Sequence, residues 1–237
     1  MMARPARRGG FSLVEMAIVL VIVGLMIGGL LTPLGMQVEQ RKIGETQKAL
    51  DESREALIGY ALRNGYLPCP AISASNGLED RVGNRCAAGK RLGFLPWATL
   101  GVPKLDAWNH LYLYSVTPAF ANSGQLFNFT SRRDISVNTR DTAGKLTAAT
   151  AVNDIPAVIM SFGKNGAGAV SEQGTAIATT SASNLDERQN ASGAGTAFIS
   201  RGMSENSAAP GGEFDDMVSW VSPNILYNRM VGAQKLP

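Results

Sequence analysis

The feature that most constrains this chain is an apolar run at residues 11–34, in which Glu15 is the only charged side chain. A helix of this length rises about 36 Å, which exceeds the roughly 30 Å hydrocarbon core of a bilayer. The preceding segment is short and basic, with Arg4, Arg7 and Arg8. The positive-inside rule keeps such a flank in the cytoplasm. We therefore expect one membrane crossing, with the rest of the chain in the periplasm or outside the cell.

Two residues of this run are unusual for a membrane anchor. A carboxylate costs about 2.5–3.5 kcal/mol at the membrane centre, so Glu15 requires a partner unless it simply reaches back to the lipid headgroups. Both interpretations of Glu15 are open at this point. Pro33 lacks the backbone N–H that a helix needs, and this predicts a helix kink.

Residues 10–16 and their surroundings resemble the signal of type IV prepilins and type II secretion pseudopilins. The matching residues are Gly10-Phe11-Ser12-Leu13-Val14-Glu15-Met16, after a basic flank and before an apolar helix. The resemblance implies that a prepilin peptidase and N-methyltransferase cleaves after Gly10 and methylates the new N-terminus at Phe11. It also implies that assembly needs Glu15, whose carboxylate would neutralise the Phe11 amine of a neighbouring subunit in a packed helical bundle.

The remaining sequence predicts an α+β fold. After the leader at 1–10 and the transmembrane half at 11–34, an amphipathic half at 35–65 keeps Ile43, Leu50 and Leu57 at seven-residue spacing. This long N-terminal helix is expected to pack against a small antiparallel sheet, as in the lollipop shape of pilins, with residues 66–237 forming a periplasmic globular head. Strands are predicted near 110–116, 125–129, 134–138, 155–162 and in the second half of 213–221, and a long exposed loop at 163–212.

Cys69 and Cys86 are the two cysteines of the chain. In an oxidising compartment we expect them to form a disulfide, which would stabilise the irregular segment between them by about 3 kcal/mol. A redox or catalytic cysteine is the alternative, although neither residue lies in a CxxC motif or beside a histidine.

A candidate metal site rests on a second resemblance to the major pseudopilins. The turn at 161–166, together with Asp215 and Asp216, resembles their calcium loop, and an Asp-x-Trp sequence at Asp106 precedes a strand as it does in those proteins. Calcium prefers six to eight oxygen ligands. Asp215 and Asp216 are the candidate ligands, although Asn165 stands where the family has an acid. Otherwise the two acids serve as turn and strand-edge residues.

The function classes follow from charge and motifs. A net charge of +3 is too small to indicate nucleic-acid binding, and one histidine, His110, does not suffice for a convincing Ser/His/Asp set. We therefore expect no enzyme, no nucleic-acid partner and no certain cofactor. The sequence favours a pseudopilin-type structural subunit that assembles through its N-terminal helix into a periplasmic filament for type II protein secretion. The alternatives are a minor type IV pilin with an adhesive or DNA-uptake role and a membrane-anchored periplasmic enzyme.

The resemblance also implies partners and location. The expected partners are the prepilin peptidase, other pilin or pseudopilin subunits, an inner-membrane assembly platform, and membrane lipid before assembly. The chain would cross the bacterial inner membrane once, with its N-terminus in the cytoplasm and its head in the periplasm, and would move from there into a periplasmic or surface filament.

Overall fold

The computed structural model describes residues 12–179 and 182–236, with the backbone alone for residues 27–33. The processing positions Gly10 and Phe11 lie outside the described residues. By its internal contacts the chain divides into two compact units, Met1–Lys42 and Ile43–Pro237.

Helix α1 runs over Leu13–Asn64. Its backbone is helical at Pro33, and the kink predicted there stays a prediction. The helix ends where the sequence predicts, because Gly65 adopts a left-handed φ of 83° and its N–H donates to the carbonyl of Ala61 at 2.7 Å. In the part of the chain that the structure describes, no helix is long and apolar enough to cross a bilayer.

The second unit contains short strands and helices connected by turns. In chain order they are β1 (Arg81–Val82), β2 (Arg85–Cys86), a 3-10 turn (Ala87–Gly89), β3 (Leu92–Phe94), α2 (Trp97–Leu100), β4 (Leu113–Val116), a 3-10 turn (Pro118–Phe120), β5 (Ser136–Arg140), β6 (Leu146–Ala148), β7 (Ala157–Ser161), α3 (Leu185–Ser192), β8 (Ala197–Ile199), β9 (Met217–Trp220) and α4 (Pro223–Gly232).

The central sheet has the order β3-β4-β7-β9 and is antiparallel throughout. Because successive side chains of a strand point to opposite faces, Tyr114 and Ile159 share one face, where they pack with Leu50 and Leu57 of α1. The opposite face carries a second core that includes Met160. The α+β class, with an N-terminal helix packed on antiparallel strands, is thus confirmed.

The segment 163–212 is more ordered than the sequence indicates, and the prediction of a long loop is wrong. It contains α3 and β8, and β8 pairs in parallel with β5 in a second sheet of order β6-β5-β8. This segment has few large apolar residues. A buried ion pair of Asp186 with Arg140 helps to hold it in place, together with the buried side chains of Phe198 and Ile199.

The strand predicted at 125–129 is also absent, since the structure assigns no strand to those residues. The alternating apolar pattern arises from a loop that packs by its aromatic rings. Phe127 is buried and stacks on Phe120 with ring centroids 4.7 Å apart.

Candidate functional site

Glu15 closes the first turn of helix α1. The Ser12 N–H donates to Glu15 Oε2 at 2.8 Å, and the Glu15 N–H donates to Ser12 Oγ at 3.2 Å. This reciprocal pair is a capping box, and its signature Ser-x-x-Glu is a local signal that sequence reasoning missed. Cleavage after Gly10 would leave both bonds in place, because the peptide N–H of Ser12 remains.

The helix that follows Glu15 presents apolar side chains to its surroundings. Every side chain described between residues 12 and 26 is exposed, and Leu13 and Leu25 are exposed by 90% and 73%. An apolar surface of this extent is typical of a site that contacts lipid or another protein.

Asp106 organises the entrance to strand β4. Its Oδ1 accepts the N–H groups of Trp108 at 2.9 Å and His110 at 2.8 Å, while its Oδ2 accepts the Ser161 hydroxyl at 2.6 Å. Asn109, where the major pseudopilins usually have glycine, adopts a left-handed φ of 67°. The Asp-x-Trp sequence therefore shapes a turn and ties it to the end of β7.

His110 is largely buried beside this carboxylate. Its Nδ1 lies 3.6 Å from Asp106 Oδ2, and the interaction with Asp106 raises the pKa of the imidazole. The Ser161 hydroxyl donates to Asp106 rather than to His110, so these three groups lack the order of a Ser-His-Asp relay. Gly166 closes over the ring, because a Cβ there would lie 2.5 Å from the imidazole.

The structure brings the turn at 161–166 against Asp215, as the calcium-loop resemblance requires. The Asn165 N–H donates to Asp215 Oδ2 at 2.8 Å. Gly163 permits this approach, because a Cβ there would lie 2.3 Å from the Asp215 carbonyl oxygen. Sequence reasoning missed the contribution of Glu187 from α3, whose Oε1 accepts both Asn165 Nδ2 at 2.8 Å and the Asp215 N–H at 3.1 Å.

The acids of this cluster are poorly compensated by cations. Burial raises the pKa of Asp215 to about 6, and burial raises that of Asp216 well above its usual range, with Glu187 adding to both shifts. Arg201 lies near Asp216, but its Nε donates to Asp186 at 2.8 Å. The Asp216 carboxylate is held instead by Asn190 Nδ2 at 2.8 Å.

Two carboxylate oxygens of this cluster lack a hydrogen-bond partner among the described residues. Asp215 Oδ1 and Asp216 Oδ1 are buried and have no hydrogen-bond partner in the described part of the chain. Calcium needs six to eight oxygens, yet within residues 12–179 and 182–236 no three acidic, histidine or cysteine side chains form a metal-binding group. Calcium binding therefore stays a prediction, for which Asp215 and Asp216 supply two donors.

The two cysteines form the expected disulfide, with the Cα atoms of Cys69 and Cys86 5.3 Å apart. Glu79 supports it, because its carboxylate accepts the Cys69 N–H at 3.0 Å and the Tyr60 hydroxyl at 2.9 Å. Within the described residues no cysteine is free.

The comparisons with known proteins bear on the start of the chain. Residues 5–31 match the prokaryotic N-terminal methylation motif. No curated protein and no solved structure matches the chain significantly. Residues 5–31 thus carry the prepilin-type signal that is found in type IV pilins and pseudopilins.

Proposed function

We propose that this chain is a pseudopilin-type structural subunit that assembles through its N-terminal helix into a periplasmic filament for type II protein secretion. The methylation motif at residues 5–31 is the observation that carries the proposal. The chain is inserted in the inner membrane with its head in the periplasm, and the prepilin peptidase cleaves after Gly10 and methylates Phe11. The proposal assigns the chain no catalytic activity.

Charge explains why cleavage would permit assembly. Removal of the leader takes away Arg4, Arg7 and Arg8, the cations that hold the N-terminus on the cytoplasmic side. It also creates an amine at Phe11, which the Glu15 carboxylate of a neighbouring subunit neutralises inside the filament. The apolar side chains of residues 12–26 then pass from lipid to neighbouring helices, with the assembly platform as the expected partner for this transfer.

Features of the head favour a role in type II secretion over a role in a type IV pilus. The Asp106 turn and the contact of Asn165 with Asp215 form one connected region around the end of β7, where the resemblance to major pseudopilins lies. A minor type IV pilin with an adhesive or DNA-uptake role is the second candidate, on the same N-terminal motif.

The capping box allows the charge of Glu15 to be tested separately from its structural role. Glu15→Gln keeps an acceptor for the Ser12 N–H but removes the charge, whereas Ser12→Ala weakens the cap and keeps the carboxylate. We expect Glu15→Gln to abolish assembly at normal protein levels and Ser12→Ala to assemble. Filaments of wild-type yield in the Glu15→Gln strain would contradict the charge pairing.

Two further measurements test processing and the machine served. Mass spectrometry of the mature protein should find N-methyl-Phe11 as the first residue, and retention of residues 1–10 would refute the proposal. Deletion of the gene should trap secreted proteins in the periplasm. Normal secretion combined with loss of surface pili would instead assign the chain to a type IV pilus.

A further inference from the structure

A small polar cleft opens on the loop between β4 and β5. It has a volume of about 250 Å³, and its walls include Asn122, Gln125, Leu126, Asn128 and Arg132. We call it the amide cleft, after its three amide side chains. Pockets for drug-sized ligands measure roughly 300–1,000 Å³, so this cleft suits a smaller group such as one sugar ring.

The amide cleft offers unused hydrogen-bond donors. Asn122 Oδ1 accepts the N–H groups of Gly124 at 3.0 Å and Gln125 at 3.3 Å, and Asn128 Oδ1 accepts the Thr130 N–H at 2.9 Å. Because a peptide N–H can only donate, these contacts fix which end of each amide is oxygen. Among the described residues, neither Nδ2 group has an acceptor, and the Gln125 side chain makes no hydrogen bond.

The cleft also has a positive charge to offer. Arg132 is exposed, and nothing in the described part of the chain forms a hydrogen bond or a close ion pair with its guanidinium. The neighbouring acid, Asp134, is already satisfied by Arg91 at 2.7 and 2.9 Å and by the Thr117 hydroxyl at 2.7 Å. Asp134 still attracts Arg132 electrostatically, but it leaves the hydrogen-bond donors of the guanidinium available to an external carboxylate, for which their geometry is suited.

The loop that forms the cleft is held in place from behind, although it has no strand. The Tyr227 hydroxyl donates to the Asn128 carbonyl at 3.2 Å, and Arg133 Nη1 donates to the Tyr227 hydroxyl at 2.9 Å. The stacked rings of Phe120 and Phe127 pack beside Tyr227. A ligand would thus meet a preorganised surface, which reduces the entropy lost on binding.

We propose that the amide cleft binds a uronic-acid unit of an acidic polysaccharide. Arg132 receives the carboxylate, and the amides of Asn122, Gln125 and Asn128 hydrogen-bond the ring hydroxyls. Leu126, whose side chain is among the exposed large apolar groups, offers a surface to the C–H face of the ring. The polar lining disfavours an apolar peptide side chain. This inference is independent of the machine that the filament serves.

The test uses the full chain in a detergent without a sugar headgroup, titrated with D-galacturonic acid and with D-galactose by isothermal calorimetry. We expect galacturonic acid to bind, and galactose to bind with an affinity at least about tenfold lower. Galactose has no carboxylate, so the charge-assisted hydrogen bond to Arg132 is lost. Arg132→Gln should lower the affinity for galacturonate by a similar factor, and Gln125→Ala should lower it by a smaller factor. Arg188→Gln is the matched control, because this exposed arginine belongs to α3 and not to the cleft.

The melting temperature should be unchanged in Arg132→Gln, which makes a loss of binding attributable to the cleft. Equal affinity for galacturonate and galactose, or unchanged binding by Arg132→Gln, would overturn the proposal. If inorganic sulfate binds more strongly than galacturonate, the sugar assignment is overturned in favour of a simple anion site. Stronger binding of a short peptide through its terminal carboxylate would overturn it in favour of a protein partner.

Discussion

The buried carboxylate of Asp186 should be one of the most costly side chains to remove from the head. It is fully buried, and it binds Arg140 through two bonds of 2.6 and 2.7 Å and Arg201 through one of 2.8 Å. Both arginine side chains are themselves largely buried. Asp186→Ala would leave two buried guanidinium groups without their anion, and breaking a buried pair in this way costs about 3–5 kcal/mol.

A loss of this size is a large share of the roughly 5–15 kcal/mol that typically stabilises a domain. All three tryptophans of the chain lie in the second unit, so urea unfolding followed by tryptophan fluorescence reports on the head. Arg229→Gln is the control. This substitution breaks the ion pair of Arg229 with Glu55. Both side chains of that pair are about half exposed, so the free energy of unfolding should fall by about 1 kcal/mol or less.

The same variant tests whether α3 supports the acid cluster. Asp186 precedes Glu187, which holds Asn165 and the Asp215 backbone. We therefore expect faster amide hydrogen exchange at Asn165 and Asp215 in Asp186→Ala, but not in Arg229→Gln. The reasoning is refuted if the free energy of unfolding of Asp186→Ala lies within about 1 kcal/mol of the wild-type value. Segment 163–212 would then not be an integral part of the head.

Three further predictions concern the same unit. Replacing Cys69 and Cys86 with serine should lower the free energy of unfolding by about 3 kcal/mol. Reduction of the disulfide in the wild type should lower its melting temperature for the same reason. Calcium should raise the melting temperature of the wild type but not of Asp215→Asn. Because burial raises the pKa of Asp215 to about 6 and calcium binds the deprotonated carboxylate, this effect should weaken as the pH falls through that value. Tyr114→Phe removes the hydroxyl bonded to the Pro68 carbonyl at 3.0 Å and should cost about 1–3 kcal/mol in urea unfolding.

Each of these has a clear contrary result. A reductant that leaves the melting temperature unchanged would show that the disulfide does not stabilise the head. An equal response of wild type and Asp215→Asn to calcium would place the ion elsewhere. A Tyr114→Phe protein as stable as the wild type would mean that the Pro68 carbonyl finds another donor.

The elements that could be predicted from sequence are those whose signal is local. Helix α1 follows from continuous apolar and then seven-residue patterning, and its end follows from Gly65, since neither depends on distant residues. The runs that became β4, β7 and β9 are rich in aromatic and β-branched residues, which suit a buried strand. The Ser12-x-x-Glu15 cap was equally local and could have been found.

The acid cluster and segment 163–212 depended on contacts far apart in the chain. Asn165 meets Asp215 across 50 positions, and Arg140 meets Asp186 across 46. The local sequence pattern of a polar segment does not predict a buried ion pair. The partner that makes burial of the charged side chain favourable lies elsewhere in the sequence. The sequence by itself therefore determined the prepilin-type start, the long helix and the main strands. Only the tertiary structure decided where the charged side chains are buried, since that depends on which distant groups the fold brings within hydrogen-bonding distance.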